Sequence, residues 1–423
     1  MRYSRLPLFA VALLFAAVEM RAQENPADKT TTRPRVVAAG VQDPQSPAPT
    51  TLQAKPSDMA ASLPIIEAGA QKKPLGPVMH LTPSVIQGRI SDAQRMLKTR
   101  PKPTASVPSI EFVTIAALDR ETGRTHFVSI SKQTFLTKGS EVNTITSEGT
   151  NVNLKIVRAN GVNTAMTLFT PDGKSLAPLT IEYPIERGGK FLELAYYTSA
   201  HPALLSTDLT RSGQSYVRNM LDLAAKRLRE RGVAISPQIV DVAERLCVVE
   251  HVDHQRFRDE NRAALYDEIY SLFALNEVDT YRFSVSTAGA GGMVQMIPWA
   301  YNLERSRHPG VGLMPDFVTG MRNHGNALQA MLLYMHDTWN DLTANDEVQY
   351  ALSTKIATPS ELLAAGYNSN AAKLPSYLKR GGDGWRTLIP RETQMYLQIY
   401  KSFEGLVPMQ SRMALPVEIK TTN

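Results

Sequence analysis

The chain is poor in cysteine: Cys247 is the only one in 423 residues. That excludes a disulfide scaffold and a cysteine-based zinc site, so a sizeable hydrophobic core must supply the stability. No apolar run of 18 or more residues follows the N-terminus, which excludes a multi-span membrane protein. Charge of one sign is also lacking, with 46 Lys and Arg against 40 Asp and Glu. The net charge of +6 and pI near 9.2 suit polyanionic surroundings without choosing among them. A concentrated basic patch with interleaved aromatics is missing, which argues against nucleic-acid binding.

Composition divides what is present. Arg2 and Arg5 precede a mostly apolar run from Leu6 to Val18, and small Ala22 follows. This pattern predicts a secretory signal peptide over 1–22, hence a periplasmic or secreted protein with no integral membrane span after cleavage. Residues 24–108 hold 13 of the 27 prolines and few aromatics, so 23–108 reads as a disordered, Pro-rich linker with one short helix near Ser84–Leu97. From 109 to 200 the texture is period-two. Ile110–Leu118, Val152–Ile156, Ala165–Phe169 and Phe191–Tyr197 read as strands, between turns such as Asn160-Gly161 and Asp172-Gly173. A small all-β domain is expected there.

After Thr207 the period becomes 3.6. Val217, Met220, Leu221, Ala224 and Leu228 share a helix face, and helices are expected at Pro237–Val249, Arg262–Leu275, Asn326–Leu342 and Glu392–Phe403. The fold class is therefore multidomain, with an α-rich C-terminal domain over 205–408 and a tail over 409–423.

The segment Ser286-Thr287-Ala288-Gly289-Ala290-Gly291-Gly292-Met293-Val294-Gln295-Met296-Ile297-Pro298 carries the chemistry. Small residues such as Gly289 and Ala290 let backbone lie against a ligand or another helix, and Gln295 can reach a polar substrate. No Lys-Ser/Thr pair follows and no strand leads in, so it is not a phosphate loop.

The string Ser-x-x-Gly-Ala-x-Gly-x-x-Gln-x-x-Pro resembles the signature of the lysozyme-like lytic transglycosylases of bacterial cell walls. Ala364-Ala365-Gly366-Tyr367-Asn368-Ser369 resembles that family's Ala-Tyr-Asn-Ala-Gly element, and Pro390-Arg391-Glu392-Thr393-Gln394-Met395-Tyr396 its closing Pro-x-Glu-Thr-x-x-Tyr helix. The family's catalytic glutamate stands nine positions before the motif serine, which is where Glu277 stands. Tyr281 and Phe283 lie between them. Two departures are visible: Val278 follows Glu277 where the family usually has Ser, and Gly366 interrupts the Ala-Tyr pair. Glu250 is the second candidate acid, at the end of the apolar stretch Leu246-Cys247-Val248-Val249, with Arg256–Tyr281 then an insertion. The spacing places Glu277 first.

The resemblance implies a lysozyme-like C-terminal domain that cleaves the MurNAc-GlcNAc bond of peptidoglycan without water. One Glu acts as general acid and then as general base toward the muramic C6 hydroxyl, giving 1,6-anhydromuramoyl ends. A carboxyl that starts protonated needs an apolar surround. Ser286 and Gln295 would position sugar substituents, Met293 and Met296 would line the cleft, and Tyr367 with Asn368 would contact the sugar. Trp299 is a candidate for stacking on a pyranose ring. A hydrolytic muramidase and a non-catalytic wall-binding protein are the alternatives. The expected partner is peptidoglycan glycan strands, and no cofactor is indicated. His251 and His254, three apart without a third ligand, do not form a zinc motif, and Asp253 or His254 is expected to cap a helix. Tyr334, His336 and Trp339 read as packing residues of a helix.

Overall fold

In the computed structural model, residues 78–100, 109–286 and 288–413 are described. The expected signal peptide, most of the linker and the end of the tail lie outside them. Period-two alternation builds one antiparallel sheet: β1 (Phe112–Asp119), β2 (Thr125–Ser131), β3 (Glu141–Ile145), β4 (Asn151–Arg158), β5 (Ala165–Phe169), β6 (Ser175–Arg187) and β7 (Lys190–Tyr197). The strand order is β2-β1-β6-β5-β4-β3, with β7 also paired to β6. The two ends of that path approach each other, the Ser147 N–H donating to the Phe127 carbonyl at 2.9 Å, so the sheet is nearly closed.

Four of these strands match the alternating segments; β2, β3 and β6 were not anticipated. In β6 the cause is burial on almost every residue from Leu176 to Ile185, which erases the alternation. Its Pro178 sits where the pairing with β1 shifts register beside Ala117, the kind of place where a missing N–H is tolerated.

Thirteen α-helices are found among the described residues. They are α1 (Pro83–Thr99), α2 (Lys132–Phe135), α3 (Thr207–Glu230), α4 (Pro237–Val249), α5 (His254–Asp259), α6 (Arg262–Asn276), α7 (Pro298–Arg307), α8 (Phe317–Arg322), α9 (His324–Thr343), α10 (Asp346–Ser353), α11 (Pro359–Asn368), α12 (Leu374–Gly381) and α13 (Arg391–Leu406). Their starts follow local chemistry. Ser206 and Ser236 accept the Leu209 and Ile239 N–H groups, Pro237 and Pro359 open α4 and α11, and Thr358 with Glu361 forms a capping box. Leu328, Met331, Leu332 and Met335 bury α9, against which α3, α4, α7 and α11 pack. No described helix is long and apolar enough to cross a membrane.

Helices α3 and α6 touch backbone to backbone at Gly213, where an added Cβ would lie 1.9 Å from the Tyr270 carbonyl oxygen. Carbonyl backbone cannot step aside as a flexible side chain can. We expect Gly213→Ala to lower unfolding stability by about 3 kcal/mol, measured by denaturant titration. Gly88→Ala in α1, with open space around it, should instead gain up to about 1 kcal/mol from helix propensity.

Two segments are more firmly engaged than the sequence suggested. The short helix expected near Ser84–Leu97 is found as α1, and its Ile86, Ile90, Ala93 and Leu97 form a buried stripe packed on β6 and α6. The tail is also engaged as far as it is described: Arg412 pairs with Asp222, Asp241 and Glu244 of α3 and α4. A single buried cluster holds Ile115 and Ile181 of the sheet together with Val217 and Leu332 of the helices.

Candidate active site

Helix α4 ends at Glu250, which is only 6% exposed, after the buried residues Leu246, Val248 and Val249. Across from it, α13 brings up Tyr396, itself fully buried, whose hydroxyl donates to Glu250 Oε1 at 2.6 Å. Helices α4, α11 and α13 pack against one another, so the last turn of α4 is enclosed by the two C-terminal sequence elements.

The small-residue loop hangs on the same place. His251 Nε2 donates to the Met293 carbonyl at 2.9 Å, and the His251 ring stacks on Tyr281 with centroids 3.4 Å apart and planes within 2°. From α11, the Tyr367 hydroxyl donates to the Val294 carbonyl at 2.7 Å and its ring meets Tyr334 edge-on. Inside the loop, Ser286 Oγ accepts the Ala290 N–H at 3.0 Å, while the Gln295 amide donates to Gly292 O at 2.8 Å and Ser284 Oγ at 3.2 Å. Gly292, at φ 68°, lies so close to Met321 that an added Cβ would be 2.4 Å from its carbonyl oxygen. Tyr281 and Gln295 also have positive φ, 58° and 45°. Each such conformation is costly for a side-chain-bearing residue, and the ring stack and the amide hydrogen bonds hold them in place.

The residues named from the sequence thus separate. Glu250, Ser286, Gly289, Ala290, Gln295, Tyr367 and Asn368 belong to the α4 end, the loop and the α11 end. Ser286 and Gln295 use their polar groups to close the loop, a role the sequence did not suggest. Asn368, half-buried, has neither side-chain oxygen nor nitrogen hydrogen-bonded within the described residues. Met293 and Met296, expected to line a cleft, are buried in the core instead, because the turn folds both inward. Trp299 is 66% exposed at the first turn of α7, available to a ligand rather than packed.

Glu277, placed first by spacing, does not sit as a buried acid should. It is exposed at the end of α6, where the chain turns with φ 47°, and its Oε1 accepts from Gln87 of α1 at 2.9 Å. Its carboxylate is therefore engaged with α1, while the loop nine residues on is anchored beside Glu250. The Arg256–Tyr281 stretch expected as an insertion in that case contains most of α5 and the core helix α6. Asp253 caps α5, accepting the Gln255 and Arg256 N–H groups.

Tyr396 was legible as a motif residue but not as the partner of Glu250. His251 was weighed only as a metal ligand, and its link to Met293 has no sequence signal. Comparison with family models, curated proteins and solved structures finds no match for this chain.

Proposed function

We propose that the chain is a peptidoglycan lytic transglycosylase with a lysozyme-like helical domain, exported by its N-terminal segment, and that Glu250 rather than Glu277 is its acid-base residue. The observation that carries this reading is the buried Glu250–Tyr396 hydrogen bond beside the loop anchored by His251. A general acid must be able to hold a proton until the leaving oxygen takes it, and an apolar enclosure favours the neutral carboxyl. Tyr396 fixes one oxygen of that carboxyl.

The hydrogen bonds and ring contacts described for this site involve one carboxyl, that of Glu250. Two-carboxylate glycosidases place a second roughly 5–9.5 Å from the first, to attack or to activate water. If Glu250 acts alone, the nucleophile can come from the substrate, the muramic C6 hydroxyl attacking once Glu250 has given up its proton and can take the hydroxyl's. Asn368, whose buried amide has no hydrogen bond among the described residues, is suited to an N-acetyl or hydroxyl group, and exposed Trp299 to a sugar face.

Purified protein incubated with peptidoglycan sacculi should release muropeptides ending in 1,6-anhydromuramic acid, read by mass spectrometry. Products heavier by one water would replace this reading with a muramidase. Binding to sacculi with no release across a range of pH would leave a non-catalytic wall-binding protein.

A further inference from the structure

The helix that follows the loop carries a second cluster of ligating groups, unrelated to Glu250. Glu304 lies in α7 and His308 immediately after it, four residues on, so both side chains leave the same face. Asp337 faces them from α9. His308 Nε2 is 3.1 Å from Asp337 Oδ2 and 3.7 Å from Glu304 Oε2, and one ligand atom from each of the three lies within 4.8 Å of the others.

The burial of this cluster is what requires explanation. The Glu304 side chain is 0% exposed, and neither of its oxygens has a hydrogen-bond partner among the described residues. A second carboxylate, Asp337, stands close by. Among the described residues, the only cations within ion-pair distance are His308, charged only when protonated, and Arg307, whose Nη1 reaches Asp337 at 3.3 Å from the solvent side. A fully buried carboxylate without a donor, beside a second carboxylate, is strongly disfavoured unless a proton or a cation accompanies it.

We propose that Glu304, His308 and Asp337 form a site for one divalent transition ion of the zinc type. Metal–ligand bonds of about 2.1 Å in a tetrahedron put neighbouring ligand atoms roughly 3.4 Å apart, and the two separations from His308 bracket that value. An imidazole among the ligands selects zinc, cobalt or nickel over magnesium and calcium, which prefer oxygen alone. His308 and Asp337 are partly exposed, so the fourth position opens to water. Because α7 leaves directly from the loop at Pro298 and Asp337 sits in the core helix α9, the ion would clamp the loop's exit to the core. Its contribution is to stability and loop position, not to proton transfer.

The test uses the full chain freed of metal by a chelator and then titrated with Zn2+ or Co2+, with Mg2+ as the control. We expect one Co2+ per chain with the intense visible absorption of four-coordinate cobalt, and a Tm that climbs with Zn2+ concentration but not with Mg2+. Glu304→Gln removes the buried charge yet keeps the shape, so without metal it should be at least as stable as the wild type. Its Zn2+-dependent rise in Tm should vanish, and its Zn2+ affinity should fall by more than about tenfold, as should that of Asp337→Asn. A wild type that takes up neither ion overturns the proposal. So does uptake that both variants retain, since the ion would then sit on other residues. Muropeptide release plays no part in these readouts, so failure here and failure of the transglycosylase reading are separate results.

Discussion

Glu250→Gln should abolish release of anhydromuropeptides from sacculi, a loss of roughly 10²- to 10⁴-fold in rate, while Glu277→Gln should leave the rate within about twofold of wild type. Glutamine keeps the size of the side chain and can still accept from the Tyr396 hydroxyl, so the fold should survive the substitution. What it cannot do is donate and recover a proton. Glu277 faces Gln87 in solvent, and removing its charge alters one exposed contact. Tyr396→Phe should fall between, by about ten- to a hundredfold, since a hydrogen bond to a carboxyl is worth about 1.5–3 kcal/mol. Full activity in Glu250→Gln with a dead Glu277→Gln would reverse the assignment. Near-unchanged Tm values in all three keep the comparison on chemistry.

Glu268→Gln should be the most destabilising of the substitutions considered, by about 3–5 kcal/mol. Glu268 of α6 is the shared acid of a nearly buried triad. Arg256 of α5 grips it with two hydrogen bonds of 3.0 and 2.8 Å, and Arg158 of β4 reaches it at 3.0 Å. Its side chain is 13% exposed. Removing the carboxylate would leave Arg158 nearly enclosed, with the sheet and helices joined across an unmatched charge. Burial by itself would raise the Glu268 carboxyl, but the charge of Arg158 and the Arg256 hydrogen bonds overcome this and hold it below its ordinary value. The stabilisation is therefore complete above the unfolded carboxyl value of about 4.3 and is lost as pH falls through the lower folded one. Thermal unfolding at several pH values should show the gap between wild type and Glu268→Gln closing only in acid. A gap that is small at neutral pH would mean that the two arginines find water or another partner.

The preference between the two glutamates shows how far linear spacing carries. Nine residues separate Glu277 from Ser286 as in the resembled pattern, and the apolar residues before it, Leu272 to Leu275, imitate a helix ending at an acid. Spacing along a chain, however, does not specify direction after a turn. The positive φ at Glu277 sends the side chain outward to α1, and α1 belongs to a stretch whose prolines had argued for disorder. The four residues of its buried stripe are enough to dock it, but the surface that receives them is made by β6 and α6, far along the chain. Glu304, His308 and Asp337 were invisible for a related reason: Glu304 and His308 show as a four-residue spacing on α7, and their partner is 29 residues beyond His308 on another helix.

The sequence by itself determined where local periodicity is strong. The strands β1, β4, β5 and β7, the extent of α4, and the helical second half follow from alternation, 3.6-residue spacing and caps, all of which act between near neighbours. The loop's turns were also implicit in its glycines. Only the tertiary structure decided that sheet and helices share one core, that Met293 and Met296 face inward, and that Glu250 is enclosed with Tyr396 while Glu277 lies in water. Those outcomes depend on which distant surfaces meet, and burial, unlike helix propensity, is a property of the assembled chain rather than of any stretch of it.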